Sequence, residues 1–95
     1  MQPNIAETSV AVVLEGRVQG VGFRWWTRRQ ATGLGLRGTV RNLADGAVEV
    51  HVAGPAGTVA DFLASLQRGP PGSRVTRVSA VQAAVDLPPD FRVIG

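Results

Sequence analysis

A glycine-punctuated segment from Gly16 to Arg24 contains residue types that could bind an anion. Its glycines allow the backbone to curl so that successive N–H groups point inward, and Arg24 can offer two parallel N–H donors to phosphate oxygens. The segment lacks the third small residue of a dinucleotide-binding loop, because Trp25 stands there, and it lacks the Gly-Lys-Ser/Thr of a nucleotide P-loop. Two interpretations stay open from the residues alone: a phosphate cradle, or a flexible turn beside a solvated arginine.

The elements flanking this segment would position it between a strand and a helix. The run Val10–Leu14 is apolar and mostly β-branched, which predicts a buried strand that ends near Gly16. Spacings of three and four then predict one helical face, formed by Phe23, Thr27, Ala31 and Leu34. The positive end of that helix's dipole would add to the anion-attracting field of the loop.

The rest of the chain predicts a β-α-β-β-α-β order. A hairpin covers residues 36–54, with a tight turn at Asp45-Gly46 and Val48, Val50 and Val52 facing the core. A second helix follows, with Val59, Phe62, Leu63 and Leu66 on its apolar face. Thr58 and Asp61 fit a capping-box variant at its start, whereas Pro55 indicates an earlier start. An irregular, bulged strand is predicted over 74–85 and a short last strand over 91–94. The fold class is therefore α+β: a ferredoxin-like sandwich with an antiparallel four- to five-stranded sheet and both helices on one face.

Length and composition limit the kinds of site that the chain can hold. A chain of 95 residues predicts one domain, over 9–95, behind a loose tail at 1–8. It has no cysteine and one histidine, His51, so thiolate and multi-histidine metal sites are excluded. All ten basic residues are arginine and the net charge is +3, a modest excess that favours anionic partners without indicating nucleic acid. No apolar run is long enough to span a membrane, and we expect a cytoplasmic protein.

Two motifs resemble the signatures of the acylphosphatase family. The first is Leu14-x-Gly16-x-Val18-Gln19-Gly20-Val21-x-Phe23-Arg24, and the second is Gly38-x-Val40-Arg41-Asn42 followed by Asp45-Gly46-x-Val48-Glu49 and Gly54. The resemblance extends over residues 9 to 94. Thr39 departs from it, because the family usually has an aromatic residue there, and we expect this change to affect local packing and the shape of the site's rim.

The resemblance implies hydrolysis of small acyl phosphates to a carboxylate and phosphate, without metal or cofactor. Arg24 matches the phosphate-binding arginine, and Asn42 matches the asparagine that positions the attacking water. The phosphate-binding loop would be formed by the backbone of Gly16, Arg17, Val18, Gln19, Gly20, Val21 and Gly22. The expected ligands are acyl phosphates, phosphate and similar anions, bound by a monomer that interacts with neither nucleic acid nor membrane.

Two other functions compete with this one. A ferredoxin-like RNA-binding module would stack bases on aromatic residues of the sheet, but predicted strands two and three contain none. A catalytically idle, phosphate-sensing domain of acylphosphatase type is the other alternative. Of the remaining residues, His51 is interpreted as a solvent-facing or helix-contacting histidine, and one of Trp25 and Trp26 is expected to pack while the other borders the site or solvent.

Overall fold

The computed structural model describes residues 7–95, which form two helices and one five-stranded sheet. In chain order the elements are β1 (Glu7–Arg17), α1 (Phe23–Gly33), β2 (Arg37–Asn42), β3 (Val48–Pro55), α2 (Ala56–Arg68), β4 (Arg74–Val81) and β5 (Phe91–Val93). The predicted order is confirmed. Residues 1–6 of the predicted tail lie outside the described residues, whereas Glu7 and Thr8 already pair with β3, so β1 begins earlier than expected.

The sheet has the strand order β4-β1-β3-β2-β5. Its first four strands pair antiparallel, as predicted, but β5 lies parallel to β2. The expectation of a wholly antiparallel sheet is therefore wrong at this edge. The reason is topological: β4 ends at the end of the sheet where β2 begins, so the chain enters β5 from that end.

One apolar face of the sheet packs against both helices. Val12 and Leu14 of β1 share that face with Val48, Val50 and Val52 of β3, and all five are buried. Phe23, Thr27 and Ala31 of α1 are buried as predicted, and so are Val59, Phe62 and Leu66 of α2, with Leu63 partly buried. Leu34 does not belong to the apolar face, because α1 ends at Gly33 and Leu34 is 44% exposed.

Two local predictions around α2 and β4 have different outcomes. For α2 the capping box at Thr58 is wrong and the earlier start that Pro55 indicates is confirmed. The helix begins at Ala56, directly after Pro55, so Thr58 already lies inside it, and no side chain caps its first turn. The bulge in β4 is confirmed, because Glu15 pairs with Arg77 while Gly16 pairs with Val75, which leaves Thr76 as the extra residue. The strand ends at Val81 and not near residue 85.

Residues 82–90 connect β4 at one edge of the sheet to β5 at the other, and we call them the crossing segment. The Ala84 N–H donates to Nδ1 of His51 at 3.1 Å, and Nη1 of Arg37 donates to the Leu87 carbonyl at 3.2 Å. His51 and Arg37 both lie on the face opposite the helices, so the crossing segment runs over that face. No described helix is long and apolar enough to cross a membrane.

Candidate active site

A short loop, residues 18–22, links β1 to α1 and forms one wall of a pocket. Val18 is fully buried and anchors the loop in the core, while Gly20 and Gly22 have positive φ angles of 75° and 73°. Gly22 is the N-cap of α1, and no side chain caps the first turn, which also has no acidic residue. The first turn of α1 thus lines the pocket, and its N–H groups have no side-chain cap, an arrangement that favours an anion.

The pocket has a volume of about 190 Å³. Its lining residues are Val18, Gln19, Gly20, Gly22, Phe23, Arg24, Trp25 and Asn42. This is smaller than the ~300–1,000 Å³ typical of pockets for larger ligands, and suits a small ion. A more open depression of about 350 Å³ lies along β4, between Gln67 and residues 75–78, and contains none of the predicted site residues.

Not every residue of the predicted phosphate-binding loop lies in the loop between β1 and α1. Gly16 and Arg17 belong to β1, where they pair with Val75 and Arg74, and Val21 is half-buried but does not line the pocket. Gly16 has φ 121°, and a Cβ at this position would collide with the Arg74 carbonyl oxygen. Glycine is therefore needed at position 16 for close approach of the bulged strand β4.

Arg24 is the second residue of α1 and lies half-buried on the pocket wall. Within residues 7–95 it forms no ion pair, in contrast to Arg41, which binds Glu49 at 2.8 Å, and Arg92, which binds Asp90 at 2.6 Å. Among these residues, no carboxylate competes for the guanidinium of Arg24. The group is thus placed to bind an external anion with two parallel donors.

Asn42 reaches the same pocket from the end of β2. It pairs with Val48, which in turn pairs with Leu14, so the end of β2 lies close to the end of β1. Its Oδ1 is buried and accepts no hydrogen bond from any described residue. Buried polar atoms are nearly always paired, so an unpaired oxygen that lines a pocket is a candidate acceptor for a molecule bound there.

Gln19 has a side-chain role that the sequence analysis missed. Its Nε2 donates to the carbonyls of Leu43 and Ala47, both at 2.9 Å, which joins the pocket loop to the β2–β3 turn. These partners lie 24 and 28 residues further along the chain. The sequence analysis assigned only the backbone of Gln19 to the phosphate-binding loop. No spacing in the sequence indicates a side-chain contact over that distance.

Trp25 and Trp26 divide as predicted. Trp26 packs against the core with its ring centroid 5.6 Å from that of Phe23, whereas Trp25 is 54% exposed on the pocket wall.

Thr39 does not lie at the pocket: it faces the crossing-segment side of the sheet beside His51, so the expected change to the rim is wrong. Within residues 7–95 no group of three His, Cys, Asp or Glu side chains could hold a metal ion.

The class of protein is thus a ferredoxin-like α+β sandwich with a small pocket at the N-terminal end of its first helix. A model of the acylphosphatase family matches residues 10–93. An acylphosphatase of Rhizobium etli is 46% identical over 88 residues, covering 92% of this chain and 94% of the relative.

Solved structures agree with this match. The crystal structure of acylphosphatase from Bacillus subtilis superposes with a TM-score of 0.86 at 31% identity, covering 95% of this chain and all of the other. An acylphosphatase from Coxiella burnetii gives a TM-score of 0.85 at 38% identity, with 93% of each chain covered. The chain belongs to the acylphosphatase family, a family of hydrolases.

Proposed function

We propose that this protein hydrolyses the carboxyl–phosphate bond of small acyl phosphates. In this proposal Arg24 and the backbone N–H groups around Gly20 and Gly22 bind the phosphate, and Asn42 orients the attacking water. The observation that carries it is the convergence on one pocket of an arginine without a described ion pair and a buried amide oxygen without a described partner. Family membership makes acyl phosphates the expected substrate class.

The reaction requires charge stabilisation more than acid–base groups. The water oxygen forms a bond to phosphorus, the bond between phosphorus and the acyl oxygen breaks, and its electron pair leaves with the carboxylate. A carboxylate is a good leaving group, so no general acid is needed. Phosphoryl transfer through a loose transition state depends on positioning and on donors aimed at the equatorial oxygens, which a guanidinium and fixed N–H groups provide.

The proton of the attacking water goes to a phosphate oxygen of the substrate. Asn42 can accept a hydrogen bond from the water through Oδ1, which directs a water lone pair toward phosphorus. A neutral amide cannot take up the proton itself at neutral pH. The substrate's own oxygens are then the nearest bases, and the products of the step are a carboxylate and a phosphate that carries this proton.

The rival RNA-binding function finds less support in the structure. Bases would have to stack on the open face of the sheet, and the crossing segment runs over that face at Ala84 and Leu87. A catalytically idle phosphate sensor would share the pocket and differs only in turnover. Measurement of hydrolysis therefore separates it from an enzyme.

The experiment is hydrolysis of benzoyl phosphate by the wild-type protein, by Arg24→Ala and by the control Arg28→Ala. Arg28 is an exposed arginine of the same helix, one turn further along. Loss of two charge-assisted hydrogen bonds at about 1.5–3 kcal/mol each predicts a fall in kcat/KM of roughly 10²- to 10⁴-fold for Arg24→Ala. Arg28→Ala should retain nearly full activity. A wild-type protein that binds phosphate without turnover would support the sensor, and an active Arg24→Ala would refute the assigned role.

A further inference from the structure

Gln19 holds two parts of the pocket together through its side chain. Both hydrogen atoms of its amide nitrogen are used, one on the Leu43 carbonyl and one on the Ala47 carbonyl, each at 2.9 Å. Since both partners are acceptors, only the NH₂ group can face them, and this fixes the orientation of the amide. The contacts are partly buried, so water competes with them only in part.

The turn that Gln19 contacts is complete without it. The Leu43 N–H donates to the Ala47 carbonyl at 2.8 Å, the Gly46 N–H donates to the Leu43 carbonyl at 3.2 Å, and the Ala47 N–H donates to Oδ1 of Asp45 at 3.0 Å. Without the Gln19 amide, the Leu43 and Ala47 carbonyls would therefore each still accept a hydrogen bond from within the turn. What would change is the position of the turn relative to the pocket loop.

Asn42 immediately precedes this turn and depends on its placement. The Oδ1 of Asn42 has no hydrogen-bond partner among the described residues, so no side-chain contact of this oxygen fixes it in the pocket. Its position follows from the backbone of β2 and from the adjoining Leu43, whose carbonyl Gln19 binds. The Gln19 amide is the described side-chain link between the loop that carries the phosphate and the strand end that carries Asn42.

We infer that Gln19 is a positioning residue for hydrolysis: its side-chain amide sets the distance between the phosphate held by the loop and the water held by Asn42. This inference rests on the proposed function. It separates two roles within one residue, because the backbone of Gln19 belongs to the anion-binding loop while its side chain acts through Asn42. Loss of the side-chain amide should lower kcat and leave phosphate affinity nearly unchanged.

The test is a double-mutant cycle with Gln19→Met and Asn42→Ala. Methionine has nearly the length of glutamine and cannot donate hydrogen bonds. A misplacement of about 1 Å can lower the rate on the order of 10²-fold, so Gln19→Met should reduce kcat about 10- to 100-fold in the wild-type background. In the Asn42→Ala background the same change should alter kcat less than about twofold, because the group through which it acts is gone.

Three further measurements accompany the cycle. The inhibition constant of inorganic phosphate should change less than about threefold in Gln19→Met, since such a kcat effect without a binding effect marks an interaction in the transition state. Gln67→Met, on the exposed side of α2, is the matched control and should behave as the wild type. Gln19→Asn retains the amide but is one methylene shorter, and it replaces Gln19→Met in the cycle if circular dichroism shows that the methionine variant is unfolded.

The outcomes distinguish this inference from the proposed function. An equal loss of kcat in both backgrounds, or weaker phosphate binding at unchanged kcat, would overturn the role of Gln19 while hydrolysis by the wild type stands. A wild-type protein with no hydrolytic activity would overturn the proposed function and, with it, the inference. A kcat loss confined to the background that contains Asn42 would support both.

Discussion

Two buried side-chain oxygen atoms lack hydrogen-bond partners among residues 7–95, and we expect their removal to have different effects on activity. Oδ1 of Asn42 lines the pocket, whereas Oγ1 of Thr27 lies in α1, on a residue that is completely buried. A buried polar group without a hydrogen bond lowers stability whatever its function. If Asn42 is retained for catalysis, removal of its amide should stabilise the fold and abolish turnover together.

Asn42→Leu is the perturbation that separates these effects. Leucine has the same number and branching of side-chain heavy atoms as asparagine, with methyl groups that are bulkier than the amide, so it removes the polar atoms without leaving a cavity. An unsatisfied buried group costs about 1–3 kcal/mol. Because Asn42 is only half-buried and its oxygen can accept a hydrogen bond from a water in the pocket, we take the lower part of that range, about 1–2 kcal/mol. For a chain of this length such a gain corresponds to a rise in Tm of roughly 4–16 °C.

Thr27→Val is the matched comparison, because it removes a buried hydroxyl at nearly constant volume outside the pocket. We expect it to raise the free energy of unfolding by about 1 kcal/mol or more and to leave kcat and KM unchanged. Asn42→Leu should also raise the free energy of unfolding. In addition, its kcat should fall at least about 10²-fold, because the attacking water is no longer oriented.

Urea unfolding followed by tryptophan fluorescence, together with benzoyl phosphate hydrolysis, measures both quantities on each variant. A loss of stability of 1 kcal/mol or more in Asn42→Leu would refute the reasoning. It would mean that the amide forms stabilising hydrogen bonds in the free protein and is not retained for catalysis alone. A loss of activity in Thr27→Val would equally contradict the assignment of function to the pocket residues alone.

Three more results are expected. Gly16→Ala should destabilise the fold by about 1–3 kcal/mol, because φ is 121° and the new Cβ meets the Arg74 carbonyl. Gly57→Ala in α2, where nothing lies within 4 Å of the new Cβ, should stabilise the fold by about 0.5–1 kcal/mol. Thermal unfolding of the two variants measures both changes. Titration of single-stranded RNA at micromolar protein and low salt should show no binding, and tight binding that weakens with salt would favour the RNA-binding module. Hydrolysis should proceed at the same rate with and without a chelator, and a loss that magnesium restores would contradict a metal-independent reaction.

Local signals in the sequence were sufficient for most of the elements. The start of α1 at Phe23, the buried face of α2 and the turn at Asp45-Gly46 follow from periodicity and from glycine and aspartate chemistry, which depend on neighbours a few residues apart. The resemblance to the acylphosphatase motifs also assigned Arg24 and Asn42 as the side chains of the site. Both line the pocket.

Contacts between distant segments decided the rest. The parallel pairing of β5, the course of the crossing segment over the sheet and the two hydrogen bonds of Gln19 all join residues at least 24 positions apart. No periodicity encodes such contacts, because they depend on which strands become neighbours once both helices occupy one face. The same physical reason applies to Gly16: the sequence assigned it to the phosphate-binding loop, and only the tertiary structure shows that the β4 bulge brings the Arg74 carbonyl against it. The sequence by itself determined which groups could bind a phosphate, and the tertiary structure decided which of them meet in one pocket and what holds them there.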